Sequence, residues 1–251
     1  MTTASGEWAA RPTRLLWGWA ADAAIFVYTV IFGSLAVVCT LLTRKPWPVD
    51  YFSLIWSRWI LKACGIHVDV EGLEHVEPRK SYIIISNHLS NFDIFVTFAA
   101  LPLRVHFVAK KELLKLPFFG QALALSDHIV IDRSHPDDAV ARINARVAQQ
   151  IDDGFCILFY AEGTRSPDGQ VHAFKKGGVT LAIRTGLPIV PMSVSGTRKF
   201  LPKGRVIIRP GGRVRLVLDK PIETTGWTLE RRDELNELVR STVVKNFVED
   251  Y

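Results

Sequence analysis

Apolar and polar positions divide the chain near residue 66. Residues 24–43 read AIFVYTVIFGSLAVVCTLLT and carry no charged side chain. At ~1.5 Å per residue, a helix over this run rises about 30 Å, the hydrocarbon thickness of a bilayer. Arg11 and Arg14 precede it, as in a secretory signal, but the run is long for one and no small-x-small cleavage site closes it. Arg44 and Lys45 follow, so basic residues flank both ends and charge does not orient the segment. Next, YFSLIWSRWILKACG places Phe52, Ile55, Trp56, Trp59, Ile60 and Ala63 on one helical face, with Arg58 and Lys62 on another. Alone, this is also the pattern of a core-facing helix. Directly after an apolar span, tryptophan on one side and bases on the other fit a membrane interface. The expectation is a membrane anchor over residues 1–66, with an apolar helix at about 15–43 and an amphipathic helix at about 51–65. It either spans the bilayer or lies as a helical hairpin in one leaflet.

From residue 67 the period changes to short β-type runs separated by helical ones. Strands are expected at 67–72, 82–86, 105–109, 128–132, 156–161, 188–195, 205–209 and 213–218. Helices are expected at 92–101, 112–125, 137–151, 178–185 and 228–248, the third of these started by Ser134 and Pro136 and stopped by Gly154. Pro210-Gly211-Gly212 reads as a hairpin turn. Alternating strands and helices predict that residues 67–251 form an α/β domain, a mixed, largely parallel sheet flanked by helices.

Composition narrows the choice of partners. With 48% hydrophobic and 22% charged residues, the chain is not intrinsically disordered. A net charge of +6 implies an anionic partner: nucleic acid, lipid head groups or a phosphorylated small molecule. Nucleic acid fits poorly, because the bases fall in loops and the aromatics in the anchor rather than along a common stripe. Cys39, Cys64 and Cys156 have neither paired nor metal-ligand spacing and read as buried free thiols in a reducing, cytoplasmic setting.

Four stretches could carry chemistry. In NHLSNFD (87–93), His88 and Asp93 would be rotated by about 140° if both lay on one helix, and could not meet. They meet only if His88 lies in the turn after the strand and Asp93 in the first helical turn, with Ser90 or Asn91 as the N-cap. A carboxylate on one imidazole nitrogen then leaves the other as a general base; a capping Asp beside an incidental His is the equal alternative. In FYAEGTRSPDG (159–169), Gly163 permits close backbone approach, Thr164 and Ser166 offer hydroxyls, and Arg165 offers a planar fork suited to phosphate. Phe174-Lys175-Lys176-Gly177-Gly178 follows at a helix start. Asp132-Arg133 and Lys110-Lys111-Glu112 also end strands, and either could be purely structural. There is no G-x-S-x-G elbow, Walker loop, dinucleotide fingerprint or H-E-x-x-H, and His67, His75, His106, His128, His135 and His172 lack metal-ligand spacing.

In this order, NHLSNFD, HIVIDR, YAEGTRS with FKKG, and LPIVP (187–191) resemble the sequence blocks of the glycerolipid acyltransferase family, over about residues 67–220. The resemblance implies transfer of an acyl chain from acyl-CoA or acyl carrier protein to a lysophospholipid hydroxyl at a membrane, with no metal or redox cofactor. It implies that His88 is the base and Asp93 its orienting acid. It further implies that Glu162, Gly163, Thr164 and Arg165 hold the acceptor's glycerol-phosphate end, with Lys110 and Arg133 as phosphate contacts. The expected acceptor is 1-acylglycerol-3-phosphate, acylated at its sn-2 hydroxyl on the cytoplasmic face of the cell membrane. Another lysolipid, such as lyso-ornithine lipid, is the alternative, and a non-catalytic lipid-binding protein is a further one. One departure is visible: Ala161 stands where the family usually has proline, which bears on the shape of the acceptor loop.

Overall fold

The computed structural model of the protein describes residues 12–132 and 154–251. Arg133 and the helix expected over 137–151 lie outside the described residues. The chain opens with α1 (Pro12–Thr43) and α2 (Trp47–Ala63). Arg44 adopts a positive φ of 55° in the short connection, and Pro48 starts α2. The two helices return antiparallel: Trp17 Nε1 donates to the Ala63 carbonyl near one end, Tyr28 meets Trp59 edge to face in the middle, and Ala36 packs with Val49 near the other. Helix α1 is long and apolar enough to cross a membrane, and only 11% of its most apolar window is buried. That suits membrane association. The inward face of α2 is rotated from the expected one: Ser57 and Leu61 are buried with Ile60, whereas Trp59 stays half exposed beside α1.

The remainder forms a seven-stranded sheet in the order β1-β7-β6-β2-β5-β3-β4. The strands are β1 (Ile66–Glu71), β2 (Tyr82–Ser86), β3 (Arg104–Lys110), β4 (Ile129–Ile131), β5 (Phe155–Tyr160), β6 (Ile189–Ser195) and β7 (Gly212–Leu218). All neighbours are parallel except β6 and β7. Among the described residues the helices of this part are α3 (Phe92–Ala100), α4 (Phe119–Ala124), α5 (Gly177–Thr185) and α6 (Arg232–Asn246). Strand β2 sits at the centre and is buried at every position, as a continuous apolar run in a parallel sheet predicts. Its alternating side chains supply two cores. Tyr82 and Ile84 join the cluster with Phe92, Phe95 and Ile60 on the α2–α3 face. Ile83 and Ile85 join the cluster with Val179, Leu235 and Val239 on the α5–α6 face. Truncating any of these isoleucines to alanine costs about 2–5 kcal/mol.

Three expectations are corrected. Residues 205–209 are not a strand, and Pro210-Gly211-Gly212 is not a hairpin turn. Strand β7 has β1 on one side and β6 on the other, so it has no free edge for a preceding strand to pair with. Gly204, at a φ of 83°, and Pro210 bound the run, Ile208 alone is buried, and the Arg209 N–H donates to the Phe200 carbonyl. Gly211 and Gly212 instead donate to the Cys64 and Gly65 carbonyls, which leads the chain into its place beside β1. The helix expected at 112–125 is broken into a 3-10 turn (Lys111–Lys115) and α4, because Pro117 intervenes and Phe118 takes a φ of 63°.

Candidate active site

Strand β2 leads through α3 to β3 on one side, and β5 leads through α5 to β6 on the other. Connections that diverge in this way open a crevice at the carboxyl ends of the strands, where open α/β sheets bind ligands. His88 lies two residues past β2 and Glu162 two past β5.

His88 and Asp93 meet as the strand–turn–helix arrangement requires. Asp93 lies in the first turn of α3, fully buried, and its Oδ2 is 2.7 Å from His88 Nδ1. The same oxygen accepts the backbone N–H groups of Leu89 and Ser90, at 2.7 and 3.0 Å. The Thr197 hydroxyl donates to Oδ1. A carboxylate so placed assigns the imidazole proton to Nδ1, which leaves Nε2 as the basic nitrogen. The ring stacks on Tyr160, with centroids 4.1 Å apart and planes 17° from parallel. Burial pushes the Tyr160 phenol well above its ordinary range, so this platform stays neutral. The turn is capped by the Ser90 hydroxyl, which accepts from Phe92 N–H at 3.3 Å and donates to the Leu201 carbonyl at 2.9 Å; Asn91 provides no side-chain cap. Asn87 ties the turn to β6 by exchanging two hydrogen bonds with the Val194 backbone, each 2.9 Å.

The loop after β5 is bonded directly to the backbone of His88. The Ser166 N–H donates to the His88 carbonyl at 2.7 Å. Glu162 accepts the His88 N–H at 2.9 Å and the His172 N–H at 3.3 Å, one on each carboxylate oxygen. Burial raises its affinity for a proton, and the two N–H donors oppose that shift. Glu162 therefore turns inward and braces backbone, whereas Thr164 is exposed and Gly163 and Arg165 are half-buried. Gly163 has a φ of 73°, and a Cβ there would lie 2.7–2.8 Å from the end of the Lys175 side chain. Lys203 Nζ donates to Thr164 Oγ1 and to the Arg165 carbonyl, both at 3.0 Å. Arg165 is half-buried and makes no ion pair among the described residues. Three cations, on Arg165, Lys175 and Lys203, thus gather around one turn.

Lys110 ends β3 on this edge and is exposed. Asp132 pairs with Lys111. Thr197, Tyr160 and Lys203 escaped the sequence reading. Thr197 stands 104 residues from Asp93, and only the sheet order brings the two together. Lys175 was visible in FKKG, but its contact with Gly163 was not.

A family model described as Acyltransferase matches residues 67–195. The chain is 34% identical over 229 residues to the 1-acyl-sn-glycerol-3-phosphate acyltransferase of Limnanthes alba, covering 89% of this chain and 79% of that one. It is 34% identical to the enzyme of that name from Pseudomonas aeruginosa, covering 77% and 76% of the two chains. The crystal structure of the 1-acyl-sn-glycerophosphate (LPA) acyltransferase from Thermotoga maritima superposes with a TM-score of 0.80 at 27% identity, over 93% of this chain and 94% of that one. With a family model matched over more than half of its length and relatives aligned over most of it, the chain belongs to the acyltransferase family that includes the 1-acyl-sn-glycerol-3-phosphate acyltransferases.

Proposed function

We propose that the protein transfers a fatty acyl chain from a thioester, acyl-CoA or acyl carrier protein, to the sn-2 hydroxyl of 1-acylglycerol-3-phosphate, forming phosphatidic acid. The observation that carries this reading is the 2.7 Å His88–Asp93 contact, joined through backbone hydrogen bonds to a turn surrounded by three cations. His88 Nε2 takes the hydroxyl proton as the acceptor oxygen attacks the thioester carbonyl. Asp93 holds the resulting imidazolium through Nδ1–H. When the tetrahedral intermediate collapses, the C–S bond breaks and the imidazolium proton passes to the departing thiolate. No acyl-enzyme forms, and the reaction as written uses no metal or redox cofactor. Arg165, aided by Lys175 and Lys203, neutralises the acceptor's phosphate, while Lys110 faces the same edge farther along the sheet. Helices α1 and α2 hold the domain at the cytoplasmic face of the cell membrane, where both lipid substrate and lipid product reside.

The test is transfer from labelled acyl-CoA to a panel of lysolipids. Lysophosphatidic acid is the best acceptor, and His88→Ala lowers turnover by about 10²–10⁴-fold. Undiminished transfer by His88→Ala overturns the mechanism; preference for an acceptor without a phosphomonoester overturns the substrate.

A further inference from the structure

The sheet edge that carries His88 extends to a second basic feature. Strand β6 runs parallel to β2 and antiparallel to β7, and β1 runs parallel to β7. The entries to β7 and β1 therefore lie on the same edge as the exits of β2 and β6. At those entries a cleft of about 380 Å³ opens between the first turns of α1 and the segment joining β6 to β7. Arg14, Lys199 and Arg209 line it together with Trp17 and Phe200. The segment that walls it, residues 198–213, reads RKFLPKGRVIIRPGGR, with basic side chains at 198, 199, 203, 205, 209 and 213 and no acidic one.

The surroundings identify the kind of anion. Trp17 lines the cleft, and Leu16 and Trp19 next to it in sequence are exposed at the start of the apolar helix, the side chains of an interfacial belt. Trp17 Nε1 donates to the Ala63 carbonyl at 3.3 Å, which holds the indole at the cleft wall. Lys199 lies over the Phe200 ring and also donates to the Tyr251 carbonyl. Cations beside an apolar, tryptophan-bearing rim match a charged group that stays at the membrane surface, not one free in solution.

We propose that the Arg14–Lys199–Arg209 cleft binds the phosphodiester headgroup of an anionic bilayer phospholipid, and that this contact seats the catalytic edge on the membrane. The ligand is neither the acyl acceptor nor a product of the reaction. The same β6–β7 connection also reaches the active site through Thr197, just before that segment, which holds Asp93, and through Lys203 within it, which holds Thr164. The bound headgroup therefore sits on the same stretch of backbone that supports the base and the acceptor turn.

The full chain in nonionic detergent, mixed with dioleoylphosphatidylglycerol or dioleoylphosphatidylcholine and read by native mass spectrometry, tests this directly. The wild type retains phosphatidylglycerol in preference to phosphatidylcholine. Arg14→Gln combined with Arg209→Gln lowers that retention about tenfold, with phosphatidylcholine unchanged. Arg14→Gln alone, at an exposed helix start, gives a smaller loss without touching the loop. Millimolar inorganic phosphate leaves the retained lipid in place, and acyl transfer to a soluble short-chain acceptor in the same detergent is unchanged by the variants. Equal lipid retention by the double variant overturns the site, and displacement by inorganic phosphate reassigns it to a free anion. Loss of acyl transfer in detergent makes the cleft part of the acceptor site and overturns its separate role. The transfer rate of the wild type reads the proposed reaction separately.

Discussion

The Glu162 carboxylate accepts the backbone N–H of His88, so the acid that opens the acceptor turn also fixes the backbone of the base. Its second oxygen accepts the His172 N–H. Glu162→Gln puts an amide NH2 opposite one of these N–H donors and leaves it without an acceptor, which costs about 1–3 kcal/mol. Both the melting temperature and kcat fall, although Glu162 touches no reacting atom. A variant with unchanged melting temperature and a change in KM alone would assign Glu162 to substrate contact instead.

Asp93→Asn preserves shape but not function. An amide oxygen still accepts at one position, while its NH2 faces either Thr197 or the N–H groups of Leu89 and Ser90. The imidazole loses its orienting charge, and kcat drops by roughly 10²–10⁴. Thiol release from acyl-CoA, followed with a chromogenic thiol reagent, measures it; retention of more than half the wild-type rate contradicts the pairing.

Gly163→Ala meets two obstacles at once. The φ of 73° disfavours a side chain, and the new Cβ sits against Lys175. The expected cost is about 1–2 kcal/mol of stability, together with a raised acceptor KM as Lys175 is pushed away. Acceptor saturation curves and thermal melts check both; a neutral substitution shows that the turn is free to rearrange.

Arg165→Ala separates acceptors by charge. Against lysophosphatidic acid, kcat/KM falls about 10–100-fold, and against a monoacylglycerol hardly at all. Equal losses on both acceptors remove Arg165 from phosphate recognition. Lys203→Ala gives a milder form of the same selectivity, because its ammonium also supports Thr164 and the Arg165 carbonyl.

Stability below neutral pH depends on His128. Burial, reinforced by the neighbouring His106 and opposed by Asp50, lowers its pKa to about 3, and its Nδ1 accepts the Phe107 N–H at 3.3 Å. The unfolded chain takes up this proton near the ordinary histidine value, about 6.5, whereas the folded chain does not. Between those two values the unfolded state binds more protons. The contribution is therefore complete above about 6.5 and is lost as pH falls toward 3, by on the order of 1 kcal/mol per unit. Melting temperatures measured from pH 7 to pH 5 fall less steeply in His128→Gln than in the wild type; parallel slopes contradict the assignment.

What the sequence made legible was local. The apolar run of β2 and the histidine after it sit within a few residues of each other, and spacing alone showed how Asp93 could reach back to His88. Seven strands stand close to their expected places because their side-chain alternation is intrinsic. The segment at 205–209 misled because its apolar run is as strand-like as the others, and pairing depends on neighbours that a local pattern does not contain. For the same reason Thr197 and Lys203 were invisible: both reach the site only through the sheet order. Glu162 was recognisable as a site residue, but its inward direction was not, since a carboxylate in a loop reads alike whether it faces a ligand or two backbone N–H groups.

The distance along the chain from β2 to His88 has a consequence for how the protein can vary. Only Asn87 separates the last paired residue, Ser86, from the base, and Asn87 is itself bonded to β6. A one-residue insertion or deletion between Ile85 and His88 would turn the imidazole to the opposite face of the sheet. Near Gly204, by contrast, the chain runs through exposed loop between its anchors at Lys203 and Ile208, and can change length without moving a reacting atom. A change of length near Gly204 should thus be tolerated, whereas one between Ile85 and His88 should not.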